Sequence, residues 1–259
     1  MGGIGMQIDR ASLKYTVKER MRGHYGTLFG ITLLPLIILA VILMIVQFVV
    51  AYEITGSRIL SFNFVSVSGP SGQTNLFLSG RWWSVVLSDL VATSASLGLL
   101  SWWRHPDSKQ SIASRAVAGF LPRYFPGLIL IFLITEVLLN IPMNLGDTGL
   151  WWSLAKLVWF VVYIVIQLGI APVFFVYMDL CDAGQGGIAS IGRAFQLSWQ
   201  LMAGFKGAYF VLWLSLLGWL LLCALVFPLL WVVPYMQTIF VAYYEALRQV
   251  KPDLIPTVA

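Results

Sequence analysis

Three ionisable residues, Asp89, Glu136 and Lys156, stand inside long apolar stretches of this chain. A charge at the centre of a membrane helix costs about 2.5–3.5 kcal/mol on insertion scales, so each is a candidate for function. At about 1.5 Å of rise per helical residue, Asp89 lies roughly 10 Å and Lys156 roughly 6–9 Å in from the same end of their stretches. Matching depths make a buried ion pair. Glu136 is followed by Asn140 and Asn144 at i+4 and i+8, and Lys156 shares a helical face with Tyr163 and Gln167. Asp89, Glu136, Asn140, Lys156, Tyr163 and Gln167 together describe an interior polar site able to hold a small solute or pass an ion. The competing reading is structural. Polar side chains also join membrane helices, and Ser84, Ser88, Ala92 and Ser96 at i+4 spacing form a small-residue packing seam.

Nothing else in the chain has the form of a catalytic centre. Cys181, expected in a loop, and Cys223 make no disulfide framework and have no metal-ligand neighbours. His24 and His105 belong to no metal-binding or nucleophile motif, and both are expected to be solvated. Gly184-Gln185-Gly186-Gly187-Ile188-Ala189 fits G-x-G-x-x-A, yet it follows an apolar stretch with no βαβ unit around it and reads as a connector. No enzymatic activity, metal or cofactor is expected.

The elements that position these residues follow from the apolar runs. About 20 such residues span a bilayer as a helix, and lipid offers the backbone no hydrogen-bond partner. Six stretches qualify, near 27–52, 82–103, 126–146, 152–178, 206–226 and 229–247. With 59% hydrophobic and 10% charged residues, the chain falls well below the roughly 25% charge of soluble domains. The reading is all-α: one polytopic integral membrane domain over residues 1–259 with about six transmembrane helices. Trp82, Trp83, Trp102, Trp103, Trp151 and Trp152 flank the spans as interfacial anchors. The 53–80 segment reads as a short outer hairpin or a loop resting in the interface.

The net charge of +5 does not indicate nucleic acid, because the basic residues sit at helix ends. Lys14, Lys18 and Arg22 precede the first span, Arg115 lies between the second and third, and Arg193 between the fourth and fifth. Excess Lys/Arg marks the cytoplasmic side, which places both termini there and makes these five residues candidate headgroup contacts.

Before each odd-numbered span the chain carries a polar-amphipathic segment. Met21-Arg22-Gly23-His24-Tyr25-Gly26-Thr27-Leu28-Phe29 matches Met202-Ala203-Gly204-Phe205-Lys206-Gly207-Ala208-Tyr209-Phe210 as M-x-G-x-x-G-x-x-F. Leu121-Pro122-Arg123-Tyr124-Phe125-Pro126 stands at the third junction. The pattern suggests three repeats of an in-plane amphipathic helix followed by a transmembrane hairpin, broken by Gly or Pro. Ile188, Ile191, Phe195, Trp199 and Met202 supply the apolar stripe of one in-plane helix.

The C-terminal third runs Ser198-Trp199-Gln200-Leu201-Met202-Ala203-Gly204, then Gly218-Trp219, Val233-Pro234-Tyr235 and Tyr243-Tyr244-Glu245. It resembles the bacterial membrane family called domain of unknown function 975, with Ala203 where that family usually has lysine. Leu13-Lys14 through Gly26 resembles the family's opening helix. The resemblance implies a six-span plasma-membrane protein with no established catalytic role. The expected partners are membrane lipids or a membrane protein. The alternative is a small-molecule or ion transporter using the interior polar residues of the second, third and fourth helices. Oligomeric state is left open.

Overall fold

Long apolar runs with Gly and Pro punctuation give helices with breaks. The computed structural model describes residues 8–55, 82–138, 149–222 and 228–256, and every regular element in them is helical. The chain order is α1 (Arg10–Met21), α2 (Tyr25–Thr32), α3 (Leu34–Thr55), α4 (Trp82–Arg104), α5 (Ile112–Ala116) and α6 (Phe125–Phe132). Then follow α7 (Leu150–Ile170), α8 (Val173–Asp182), α9 (Ile191–Leu201), α10 (Lys206–Leu222) and α11 (Leu229–Val250). A π-helical stretch, Leu133–Leu138, continues α6. The outer 56–81 segment, Asn140, Asn144 and Cys223 lie outside the described residues.

The breaks have local causes. Pro35 has no N–H to offer the Ile31 carbonyl, and the helix interrupts at Leu33. Pro172 likewise separates α7 from α8. The chain stays helical to Asp182, so Cys181 occupies the last turn of α8 and not a loop. Gly23 and Gly204, the matched glycines of the two junctions, have φ of 79° and 86°. Such angles are strained for any residue with a Cβ. The bend from α9 into α10 is 84°. At the third junction Leu121 is held extended before Pro122, as pre-proline residues usually are.

Among the described residues, two helices are long and apolar enough to cross a membrane, Tyr25–Val46 and Leu150–Asp182. A third is added if Ile188–Leu201 and Lys206–Trp219 count as one bent span. Helices α4 and α11 have comparable length, 23 and 22 residues, but are less apolar. The outer faces of α3 and α7 expose Ile38, Ile42, Ile45, Leu157, Val158 and Val161. An exposed apolar helix face needs a non-aqueous neighbour.

The packed core gathers at the opposite end, around Leu28, Leu97, Leu100, Tyr177, Leu201 and Leu247. Trp102 and Trp103 belong to it, at 1% and 8% exposure, and do not act as interfacial anchors. The Arg20 guanidinium lies 4.3 Å from the Trp103 ring centroid. The His24 ring is exposed, as expected, and sits 5.7 Å from that of Trp102. Trp151 and Trp152 do remain exposed at the start of α7.

Helix α5 approaches α4 closely because α4 presents Ser94 and Gly98 to it. Ser94 Oγ donates to the Ala116 carbonyl and accepts from Gly119 N, both at 2.9 Å. A Cβ on Gly98 would lie 1.9 Å from the Arg115 carbonyl oxygen. The close seam is therefore Ser94–Gly98, whereas Ser96 turns its hydroxyl back to the Ala92 carbonyl at 2.9 Å.

Candidate functional site

The C-terminal ends of α4, α8 and α11 meet in one ion network. Asp179, fully buried on α8, accepts Arg104 Nη1 at 2.6 Å and Nη2 at 3.1 Å. The Tyr244 hydroxyl donates to Asp179 Oδ2 at 2.6 Å, and Arg248 Nε stands 3.4 Å from the same oxygen. Glu245 Oε1 accepts Arg104 Nε at 2.8 Å and Nη2 at 2.6 Å. Burial alone would lower the Arg104 guanidinium. The hydrogen bonds and charge of Asp179, joined by Glu245, outweigh that and hold its pKa above the ordinary arginine value. Two guanidinium and two carboxylate groups make the cluster neutral. Such a cluster stands only with its hydrogen bonds filled, since each buried ion otherwise carries a desolvation cost of several kcal/mol.

A second, smaller cluster ties the start of α6 to the end of α8. Arg123 Nη2 is 3.0 Å from Asp182 Oδ1, and the Tyr124 hydroxyl donates to the same carboxylate. Burial, then the Asp182 bond and charge, push the Tyr124 phenol well above its usual range.

Directly beside the larger network lies a cavity of about 170 Å³ between α4, the α7–α8 break, α8, α10 and α11. The ring of Tyr244 lines it and stacks on Phe175 at 5.2 Å, while its hydroxyl reaches Asp179. Gln237 of α11 also lines it, and its Oε1 is buried without a hydrogen-bond partner among the described residues.

The sequence-derived site residues are placed elsewhere. Asp89 and Lys156 are half-buried and form no ion pair among the described residues, contrary to the matched-depth expectation. The reason is packing. Helix α4 packs on α5, α8 and α11, whereas α7 packs on α9 and α10. Tyr163 and Gln167 are half-buried on α7, and the backbone of Glu136 lies in the π-helical stretch. Among the described lining residues, Asp89, Lys156, Tyr163 and Gln167 do not appear. The polar site expected between the second, third and fourth helices is thus not the one this cavity forms, which draws on α10 and α11 instead.

The basic candidates divide. Lys18 is exposed, and Arg22 makes an exposed ion pair with Glu19 at 3.2 Å. Lys14 Nζ donates to Ser215 Oγ of α10 at 2.9 Å, so it is engaged inside the protein. Arg115 is only 3% exposed and donates to His105 and Ser108, which corrects its assignment as a headgroup contact. Arg193 is exposed and donates to Gln185 at 2.8 Å, closing the glycine connector in which Gly184 and Gly187 have φ of 72° and 133°.

Helix α9 has three faces. Ile191, Ala194, Ser198 and Leu201 are buried against the protein. Ile188, in the 3-10 turn before it, and Trp199 are exposed at 66% and 42%. Arg193, Gln196 and Gln200 form an exposed polar sector. At about 100° per residue these three sectors follow one another around the axis. Of the apolar stripe read from the sequence, Ile191 and Met202 are buried against the protein, whereas Ile188 and Trp199 face outward. Lys206 Nζ lies 3.1 Å from the Trp199 ring centroid at the bend, and Lys251 Nζ caps the helix by donating to the carbonyls of Gln200, Leu201 and Ala203 at 2.7, 3.1 and 2.8 Å.

The sequence signal for the ion network was present and weak: Arg104, Asp179, Glu245 and Arg248 all stand at one end of an apolar stretch. Gln237 carried no signal beyond being an amide in a span. A family model described as "Protein of unknown function (DUF975)" matches residues 6–251. No curated protein and no solved structure matches the chain.

Proposed function

Because the chain belongs to the DUF975 family of proteins of unknown function, we propose its role from its own geometry: a non-catalytic, multi-pass plasma-membrane protein that binds lipid headgroups on the cytoplasmic leaflet. In this reading six crossings leave both termini cytoplasmic, and in-plane segments at the three junctions rest on the inner surface. The observation that carries it is the three-faced α9. A helix with adjoining protein-facing, apolar-exposed and polar-exposed sectors suits the boundary between protein, acyl chains and water. The 84° turn into α10 suits a chain passing from lying on a membrane to crossing it. Lys18, Arg22 and Arg193 remain exposed for anionic headgroups, each contributing about 1 kcal/mol near a charged surface.

The test is nitroxide scanning of the full chain in nanodiscs. Labels at 188 and 199 should relax with oxygen, and labels at 196 and 200 with a water-soluble nickel chelate. Equal nickel access at all four positions refutes an interfacial α9. For the headgroup role, anionic lipid should raise the melting temperature relative to zwitterionic lipid. That gain should shrink in high salt and in a Lys18→Gln/Arg22→Gln/Arg193→Gln variant. A second reading, a small transporter, is favoured by the cavity beside the Pro172 break, since transporter sites are often built at interrupted helices. It requires aqueous labelling of cysteines placed along the cavity.

A further inference from the structure

We propose that the cavity between α4, α8, α10 and α11 binds a small organic cation bearing N–H groups, an alkyl or aralkyl ammonium. This goes beyond the headgroup reading and does not depend on it.

The argument is an inventory of what the walls offer. Gln237 Oε1 is a buried acceptor with no partner among the described residues. Ser96 spends its hydroxyl hydrogen on the Ala92 carbonyl, which leaves the oxygen lone pairs to accept. Tyr243 and Tyr244 likewise donate theirs to the Phe205 carbonyl, at 3.2 Å, and to Asp179. These three hydroxyl hydrogens are thus committed to the protein, and their oxygens remain as acceptors beside Gln237 Oε1. An unmet buried acceptor carries a desolvation penalty that a donor-bearing ligand relieves. Six aromatic rings also line the wall: Phe174, Phe175, Tyr209, Phe240, Tyr243 and Tyr244. Ring faces attract cations, more strongly where water is excluded.

Charge balance points the same way. No lysine or arginine is among the described lining residues, and the adjoining ion network is neutral. Asp89 lies four residues before the lining Thr93 and seven before Ser96, on one face of α4. That places it one turn, roughly 6 Å, outward of the cavity. Its carboxylate has no ion-pair partner among the described residues, so a cation entering the cavity would find a compensating negative charge above it. An anion finds no lysine or arginine among the described lining residues.

The test uses the full chain in detergent micelles and three probes that differ in one group: benzylammonium, benzyl alcohol and benzoate. Equilibrium dialysis should give saturable, one-to-one benzylammonium binding at least tenfold tighter than that of benzyl alcohol, with benzoate weakest. Gln237→Leu should weaken benzylammonium binding at least fivefold while melting no lower than the parent, because the unmet carbonyl is gone. Asp89→Asn should weaken benzylammonium severalfold and leave benzyl alcohol unchanged. Phe240→Leu provides a second cavity variant should Gln237→Leu be unstable, and it too should weaken the cation. Absence of saturable binding, equal affinity for the alcohol, or unchanged benzylammonium affinity in stable Gln237→Leu and Phe240→Leu protein would each overturn the proposal.

Discussion

Replacing Asp179 by asparagine removes one charge from the ion network with almost no change in volume. The carboxylate now accepts two bonds from Arg104, at 2.6 and 3.1 Å, and one from Tyr244 at 2.6 Å, with Arg248 at 3.4 Å. Its side chain is fully buried, so water does not replace what is lost. Removing one partner of a buried ion pair costs about 3–5 kcal/mol. Arg104 keeps Glu245 at 2.6 Å, and both arginines retain 16% exposure, which favours the lower end, about 3 kcal/mol. At about 2–4 °C per kcal/mol for a chain of this size, the melting temperature should fall by roughly 6–12 °C. The assay is tryptophan-fluorescence melting in a mild detergent, with Arg104→Met and the double variant completing a cycle. Coupled residues should show the double loss short of the sum by at least about 1 kcal/mol. Glu19→Gln, which breaks the exposed pair with Arg22, is the control and should cost under about 1 kcal/mol. An Asp179→Asn protein melting within about 2 °C of the parent, or strictly additive losses, would refute the idea that these charges hold the three helix ends together.

Gly98→Ala should cost about 2–3 kcal/mol because its methyl meets the Arg115 carbonyl, whereas Gly218→Ala, with open space around it, should be neutral or gain up to about 1 kcal/mol. Thermal melting of the pair separates close packing from helix propensity. Lys251→Met should fray the end of α9, seen as faster amide exchange through residues 201–205, at a cost of about 1–2 kcal/mol. Asp9 caps α1 by accepting from Ala11 N and Ser12 N at 3.1 Å, and those bonds hold its pKa below the ordinary carboxylate value. A depressed carboxylate stabilises above its unfolded pKa and loses that contribution as pH falls through the folded value. Protection of the first α1 amides should therefore fade below about pH 4, and Asp9→Asn should abolish the pH dependence.

Local chemistry was the legible part of this fold. Apolar runs gave helices, and the two matched glycines gave the positive-φ junctions at Gly23 and Gly204. What failed depended on which helix faces which. Depth along a helix says nothing about azimuth, and Asp89 and Lys156 stand on helices that pack against different neighbours. Of the apolar stripe on α9, Ile188 and Trp199 stay exposed while Ile191 and Met202 pack, a division that hydrophobicity alone does not reveal. Trp102 and Trp103 misled for the same reason: a tryptophan at a helix end anchors an interface only when nothing packs over it. The network of Arg104, Asp179, Glu245 and Arg248 joins residues up to 141 apart along the chain, beyond any periodicity.

That separation also orders biosynthesis. Arg104 is made well before Asp179, and Asp179 well before Glu245 and Arg248, so the network cannot close until α11 has been made. Lys251 adds a last step, because the end of α9 waits for a lysine some fifty residues further on. Until then Arg104 and Asp179 are balanced in charge but lack the Glu245 carboxylate and the Tyr244 hydroxyl that fill their remaining hydrogen bonds. An unfinished chain thus differs from a finished one at this site in polar satisfaction, not in net charge.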